Sequence, residues 1–255
     1  MKIMRVQKDG QPPVWAIAEG DQAYAAEGDI YAGPAKGAAL GPISGLKLLG
    51  AIAPENKVVI ILDNWRGRAG RDGPTFIIKA PTARVNPGET IAYPKIAKDV
   101  YFETEVGIVI GKKAKHITVE QARDHILGYT IHNDMTAFKV KLNVGEGGYD
   151  QVIMGKSFDN FSCVGPCIDT DADPEKLTLR GKIDGEEFYE TSSALMNWNV
   201  YELTAWVSQQ QTLNPGDVIS CGAPPGAMSR ETKAGNRITL VIDQVGEMSF
   251  DVVAE

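Results

Sequence analysis

The chain has 255 residues, 43% of them hydrophobic and 23% charged, an ordinary balance for a globular protein long enough to bury a sizeable core. Its formal net charge of −7 argues against the basic face of a nucleic-acid binder, but an anionic small molecule stays admissible where a bound cation reverses the local field. The 27 glycines and 14 prolines favour a turn-rich β fold over a helical bundle.

In chain order, KIMRV and VWAIA are short strand candidates joined by the turn signal KDGQPP. The N-terminal run holds no apolar stretch long enough for a signal peptide or membrane span, so a cytoplasmic protein with no membrane contact is expected. Glycine and alanine dominate residues 26 to 50, which predicts a loop or linker with a short helix near Leu46–Leu49. Residues 1–55 thus read as a small N-terminal β domain and 56–255 as the main domain. KVVIIL, Lys57–Leu62, opens the latter as a buried strand. Residues 63–75, DNWRGRAGRDGPT, are rich in Gly and Arg without periodicity. They read as a long loop or mobile cover, which is uncommon without a function.

FIIKA is a strand, and Val100–Lys112 is a long one. Thr118–Gly128 reads as a helix, with Thr118 as N-cap and Gln121 in the capping-box position. GYTIHND follows as a strand, and KSFDNFSCVGPCI as loop to strand. Cys163, Cys167 and Cys221 form no disulfide framework and read as small buried hydrophobes in a reducing compartment. LTLRGKIDGEEFYETS is a hairpin turning at Asp184-Gly185. Trp198–Gln211 is an amphipathic helix that Asn197 can cap, and NRITLVIDQVGEMSFDVV is a closing hairpin. The order predicts an α+β, mainly β domain rather than a βαβ array.

Glu103 and Glu105 lie at i and i+2 of the long strand, so both carboxylates point to one side. Beside the apolar VGIVI, two like charges are costly unless that strand end is exposed or a cation neutralises them. Asp134 lies at the end of GYTIHND, joined to the first strand by one helix. A strand–helix–strand unit can bring the three carboxylates together, and such a set suits Mg²⁺ or Mn²⁺ with positions left open for water or substrate oxygens. His132 shares the strand face of Asp134 and reads as a structural histidine or a further ligand. Lys156 in GKSF reads either as a surface lysine or, near a dication, as an ammonium whose pKa falls so that it can donate to substrate oxygen. No G-x-S-x-G, G-x-G-x-x-G or H-E-x-x-H motif is present.

FETEVGIVIGK, GYTIHNDMTA, GKSFD and GDVISCGAPPG, in that order over roughly residues 57 to 252, resemble the fumarylacetoacetate hydrolase family. The resemblance implies a mixed β-sandwich roll of that family's C-terminal type with a Mg²⁺ or Mn²⁺ site, usually in a homodimer. It implies Glu103, Glu105 and Asp134 as metal ligands, Lys156 as the active-site lysine and Lys79 as a lysine near substrate. Members act on small 2-oxo or 1,3-dicarbonyl acids through metal chelation and enolate stabilisation. The expected activity is therefore C–C bond hydrolysis in a catabolic pathway, with the breakdown of aromatic compounds as the candidate. Alternatives are 2-oxo acid decarboxylation, dienoate isomerisation, lactone hydrolysis, or a non-catalytic binding homologue.

The sequence departs from the pattern in three places. The histidine, often with a glutamate, found in the loop after the first core strand is replaced by Arg66, Arg68 and Arg71. The arginine after DMTA is Phe138, and the threonine of GTPPG is Ala223. Arg66, Arg68, Phe138 and Ala223 are accordingly the substrate-contacting candidates, for a less acidic or more aromatic substrate or a different reaction.

Overall fold

The structure, a computed structural model, describes residues 1–65, 73–140 and 153–255. Among them, strands dominate and form two sheets, an α+β architecture that is mainly β, as expected. The elements of the larger sheet are β1 (Lys2–Gln7), β2 (Val14–Glu19), β3 (Gln22–Glu27), β4 (Ala35–Pro42), β5 (Lys47–Leu49), β6 (Val58–Leu62), β7 (Thr75–Ile78), β9 (Ala97–Ile110), β10 (Ile126–Val140), β11 (Ser162–Asp169) and β14 (Val218–Ser220). Their order is β4-β3-β2-β1-β11-β10-β9-β14-β6-β7, with β5 paired to β1. The N-terminal strands are thus hydrogen-bonded into the main sheet through β1 and β11.

The smaller sheet runs β13-β12-β15-β16-β8, from β8 (Ile91–Tyr93), β12 (Thr178–Ile183), β13 (Glu186–Ser192), β15 (Arg237–Ile242) and β16 (Gly246–Ala254). Asp184 and Gly185 turn the β12–β13 hairpin with φ of 54° and 83°, the left-handed pair that a two-residue hairpin loop requires.

Three expectations are corrected. Residues 26–50 are not a loop with a helix at Leu46–Leu49: they contain β4, a 3₁₀ turn at Ile43–Gly45 and the strand β5. Pairing of β4 with β3 and of β5 with β1 supplies backbone partners that alanine and glycine propensity does not anticipate. The helix over Thr118–Gly128 shrinks to α1 (Val119–Ala122) and a 3₁₀ turn, Arg123–His125. The Thr118–Gln121 capping box is present, but Ile126 already pairs with Ile110. Gly128 also sits so near β11 that a Cβ there would meet the Asp169 carbonyl at 2.5 Å, which holds the segment in the sheet. Finally, α2 spans Val200–Gln210 and is capped not by Asn197 but by Asn199, whose side chain accepts from the N–H groups of Tyr201 and Glu202.

β9 and β10 form one long antiparallel ladder. Period-two alternation gives β9 two faces. Phe102 and Thr104 face the smaller sheet: the Phe102 ring meets Phe188 edge-on at 5.6 Å, and Thr104 Oγ1 donates to the Arg180 carbonyl at 3.0 Å. Glu103 and Glu105 therefore face the other way. The larger sheet curls until the segment after β7 meets β11, where Val85 N–H donates to the Ser162 carbonyl at 2.9 Å. That closure turns the sheet into a roll and brings distant strands around one site.

Candidate metal centre

Glu103 and Asp134 are direct cross-strand partners, and Glu105 pairs with His132. The carboxylates meet through the register of adjacent strands rather than at the ends of a strand–helix–strand unit. One oxygen from each of Glu103, Glu105 and Asp134 can be chosen within 4.8 Å of the others. The three residues are at most 1% exposed, so the strand is not an exposed acidic edge.

Two lysines face this cluster. Lys156 Nζ donates to Glu103 Oε2 at 3.0 Å and Thr136 Oγ1 at 2.6 Å, and contacts Asp134 Oδ2. Lys79, just after β7, pairs with Asp134 Oδ1 and donates to the Met135 carbonyl at 2.9 Å. Both lysines are only 4% exposed. Lys156 is placed by Gly155, where any Cβ would overlap the Ala137 carbonyl oxygen of β10. Glycine is what allows the backbone to come this close to β10.

Burial raises the Glu103 carboxyl, opposed by Lys156. Glu105 is raised well above its ordinary value, by burial and then by Asp134 and Glu103. Burial would raise Asp134 too, but Lys156 and Lys79 outweigh it and hold the carboxyl below the usual range. Burial pushes Lys79 down to about 8. With no cation held, burial lowers Lys156, yet Asp134, Glu103 and Glu105 together raise it. In the absence of a cation the lysines are the counterions.

The donor set fits a hard divalent cation. Glu105 Oε2 accepts from Ser220 Oγ and from Gly222 N–H at 2.9 Å, while Glu105 Oε1 is buried without a hydrogen-bond partner among the described residues. Three carboxyl groups face two ammonium groups, so ionising all three would leave negative charge in excess. A stranded carboxylate oxygen in such a cluster marks where a cation belongs. Gly222 has φ +88° and leaves 2.6 Å between a would-be Cβ and the Ile61 carbonyl, so only glycine presents that N–H here. His132 is not turned to the cluster: Nδ1 meets Ser220 Oγ at 2.7 Å and Nε2 meets Ser162 Oγ at 2.9 Å. Burial pushes its pKa down to about 3.

A cavity of about 160 Å³ opens onto Glu103, Glu105 and Lys156, with Leu62, Asp63, Phe138, Ala223 and Met228 among its walls. The structure thus brings Phe138 and Ala223 to the carboxylates, and packs the Phe138 ring edge-on against Tyr101 at 5.7 Å. Lys79 sits against Asp134, outside the lining of this cavity. Arg66, Arg68 and Arg71 lie outside the described residues. Thr136, Ser162, Ser220 and Gly222 were not singled out in the sequence. The i, i+2, i+4 spacing of His132, Asp134 and Thr136 on one strand was the available signal for Thr136. All three cysteines are buried thiols.

A buried carboxylate triad with lysine counterions, inside a closed mixed sheet, has the donors that could hold a divalent metal ion. Residues 63–253 match the fumarylacetoacetate (FAA) hydrolase C-terminal family, and the chain belongs to that family. It is 33% identical over 226 residues to the mitochondrial oxaloacetate tautomerase of Xenopus laevis, covering 82% of this chain and 69% of that protein. The crystal structure of 2-hydroxyhepta-2,4-diene-1,7-dioate isomerase from Mycobacterium marinum matches with a TM-score of 0.87 at 30% identity, over 100% of this chain and 99% of that one. Maleylpyruvate hydrolase from Sphingobium sp. SYK-6, solved with manganese(II) ion and pyruvate, matches with a TM-score of 0.79 at 25% identity, over 100% and 99% of the two chains. Among the described residues no helix is long and apolar enough to cross a membrane.

Proposed function

We propose that this chain is a divalent-metal-dependent enzyme acting on a small 2-oxo acid, and that the reaction its site supports best is a proton shift between keto and enol or diene forms. The observation that carries this reading is the unpartnered Glu105 Oε1 beside Glu103, Asp134 and the Lys156 ammonium. Glu103, Glu105 and Asp134 would hold Mg²⁺ or Mn²⁺. When bound, the cation supplies Lewis-acid polarisation of a carbonyl and favours negative charge on its oxygen.

The chain's own residues do the rest. Lys156 borders the cavity and donates from Nζ to Glu103, so it can turn that donor to a substrate oxygen as charge develops there. Lys79 and Thr136 hold Asp134 and Lys156 in place from behind. Phe138, Ala223 and Met228 exclude water from one wall and fit an apolar or aromatic substrate body. A proton shift needs no attacking water, whereas C–C hydrolysis does. The likeness to a hydrolase solved with manganese and pyruvate keeps C–C cleavage as the second reading. A homodimer is proposed with either, expected in solution at twice the 27.5 kDa chain mass.

The test is metal analysis of the purified protein, removal of metal with EDTA, and re-addition of Mn²⁺ with oxaloacetate or acylpyruvates as substrates. Enol absorbance follows tautomerisation, and chromatography follows cleavage products. Metal-dependent enol–keto exchange supports the first reading. Metal-dependent release of pyruvate from acylpyruvates supports the second. A protein that binds no metal and turns over neither class would be a binding homologue, and the proposal would fall.

A further inference from the structure

Glu105 is braced by a buried hydrogen-bond chain that leads away from the cavity. With a cation held, Glu105 is a carboxylate and only accepts, so the proton in its contact with Ser220 belongs to the Ser220 hydroxyl. A hydroxyl has a single proton. Ser220 Oγ must therefore accept at its other contact, the 2.7 Å approach to His132 Nδ1, and His132 carries a proton on Nδ1. The ring is fully buried with hydroxyls, not carboxylates, on both nitrogens, which favours the neutral form. Its Nε2 is then an acceptor, and Ser162 Oγ at 2.9 Å must be the donor. Every hydrogen in the chain Ser162–His132–Ser220–Glu105 has one direction.

We propose that His132 is a positioning residue for the metal centre: locked as the Nδ1–H tautomer between Ser162 and Ser220, it fixes the Ser220 hydroxyl so that Glu105 Oε2 stays engaged and Oε1 stays turned to the cation. This rests on the metal reading above and names residues beyond the three carboxylates. Without the imidazole donor, Ser220 is free to turn its hydroxyl elsewhere. Gly222 N–H, at 2.9 Å, then holds Oε2 alone. Removing a group that orients a ligand typically weakens metal binding about 10- to 100-fold.

The experiment is calorimetric Mn²⁺ titration of EDTA-stripped wild type, His132→Leu, His132→Asn and Ser162→Ala, with thermal melts of each. Nitrogen NMR of the Mg²⁺-loaded wild type reads the tautomer; with His116 and His125 as the other two histidines, assignment is direct. The expected results are a Kd about tenfold or more weaker in His132→Leu, and a Kd within about threefold of wild type in His132→Asn, whose amide N–H replaces Nδ1–H. The spectrum should show a protonated Nδ1 and a bare Nε2 at His132. A merely structural histidine would lower the Tm of both His132 variants without separating their Kd values. A folded His132→Leu with wild-type affinity, or an Nε2–H tautomer, overturns the proposal. Should His132→Leu not fold, the spectrum decides: a protonated Nδ1 and bare Nε2 that persist in Ser162→Ala support the chain, since Ser220 still needs its donor, and an Nε2–H tautomer in either protein overturns it. Wild type that binds no Mn²⁺ would sink the metal reading itself, an outcome distinct from intact binding that ignores His132.

Discussion

Replacing Lys156 by methionine removes the ammonium while keeping most of the aliphatic stem. In the metal-free protein this strands Glu103 Oε2, 3.0 Å from the lost charge, and leaves Asp134 with Lys79 as its cation among the described residues. At an effective dielectric of about 20, one such pair is worth about 5 kcal/mol. Glu103 limits the loss by taking up a proton, because burial already raises its pKa. The expected destabilisation is therefore about 3 kcal/mol, at the low end for a broken buried pair. A bound dication changes the sign of the argument. Beside it, the Lys156 ammonium is repulsive, so the variant should bind Mn²⁺ more tightly than wild type, and saturating metal should close much of the stability gap. Turnover should fall about 100-fold or more with the proton donor gone. Urea melts with EDTA and with Mn²⁺, paired with calorimetric titration, measure all three. An unchanged stability gap in the two conditions, or weaker Mn²⁺ binding by Lys156→Met, would refute the idea that lysine and cation compete for the same carboxylates.

Gly155→Ala should cost about 2 kcal/mol or more by urea denaturation, since its Cβ overlaps the Ala137 carbonyl, and should lower turnover by shifting Lys156. Mn²⁺ affinity should fall as pH is lowered, because Glu105, its pKa raised by burial and by Asp134 and Glu103, must lose a proton to bind; an affinity flat between pH 8 and 5 would count against it. His132, pushed down to about 3 by burial, stays neutral in the fold at pH 5 while the unfolded imidazole is charged. Its contribution to stability is present above the unfolded pKa and drops by about 2 kcal/mol from pH 7 to 5 in metal-free protein, read as the difference between wild type and His132→Gln. Phe138→Arg should move preference toward dicarboxylic 2-oxo acids, with kcat/KM for oxaloacetate rising about tenfold relative to a monocarboxylic aromatic analogue.

The acidic cluster was legible because strand alternation is a local rule: Glu103 and Glu105 share a face wherever β9 sits. Asp134 was harder, since a strand–helix–strand connection and a β9–β10 hairpin bring different atoms together. Only the observed register makes Asp134 the cross-strand partner of Glu103. The rest of the centre rests on contacts far apart in sequence. Ser220 belongs to a three-residue strand whose role depends on being inserted between β9 and β6. Lys79 lies three strands along the sheet from β9 and reaches Asp134 through curvature that no local pattern encodes. The over-long helix at Thr118–Gly128 has the same origin: a genuine capping box starts it, but pairing of Ile126 with β9 takes over within two turns.

The curled sheet has a kinetic consequence. Asp134 meets Lys79 across 55 positions of sequence, and Glu105 meets Ser220 across 115. A site assembled from such distant segments is complete only after the roll has closed, so early collapsed states have no full ligand set to offer. Mn²⁺ should then leave the refolding rate nearly untouched and slow the unfolding rate instead. In that role the ion acts as a late latch: it holds shut a sheet that the chain must first close unaided.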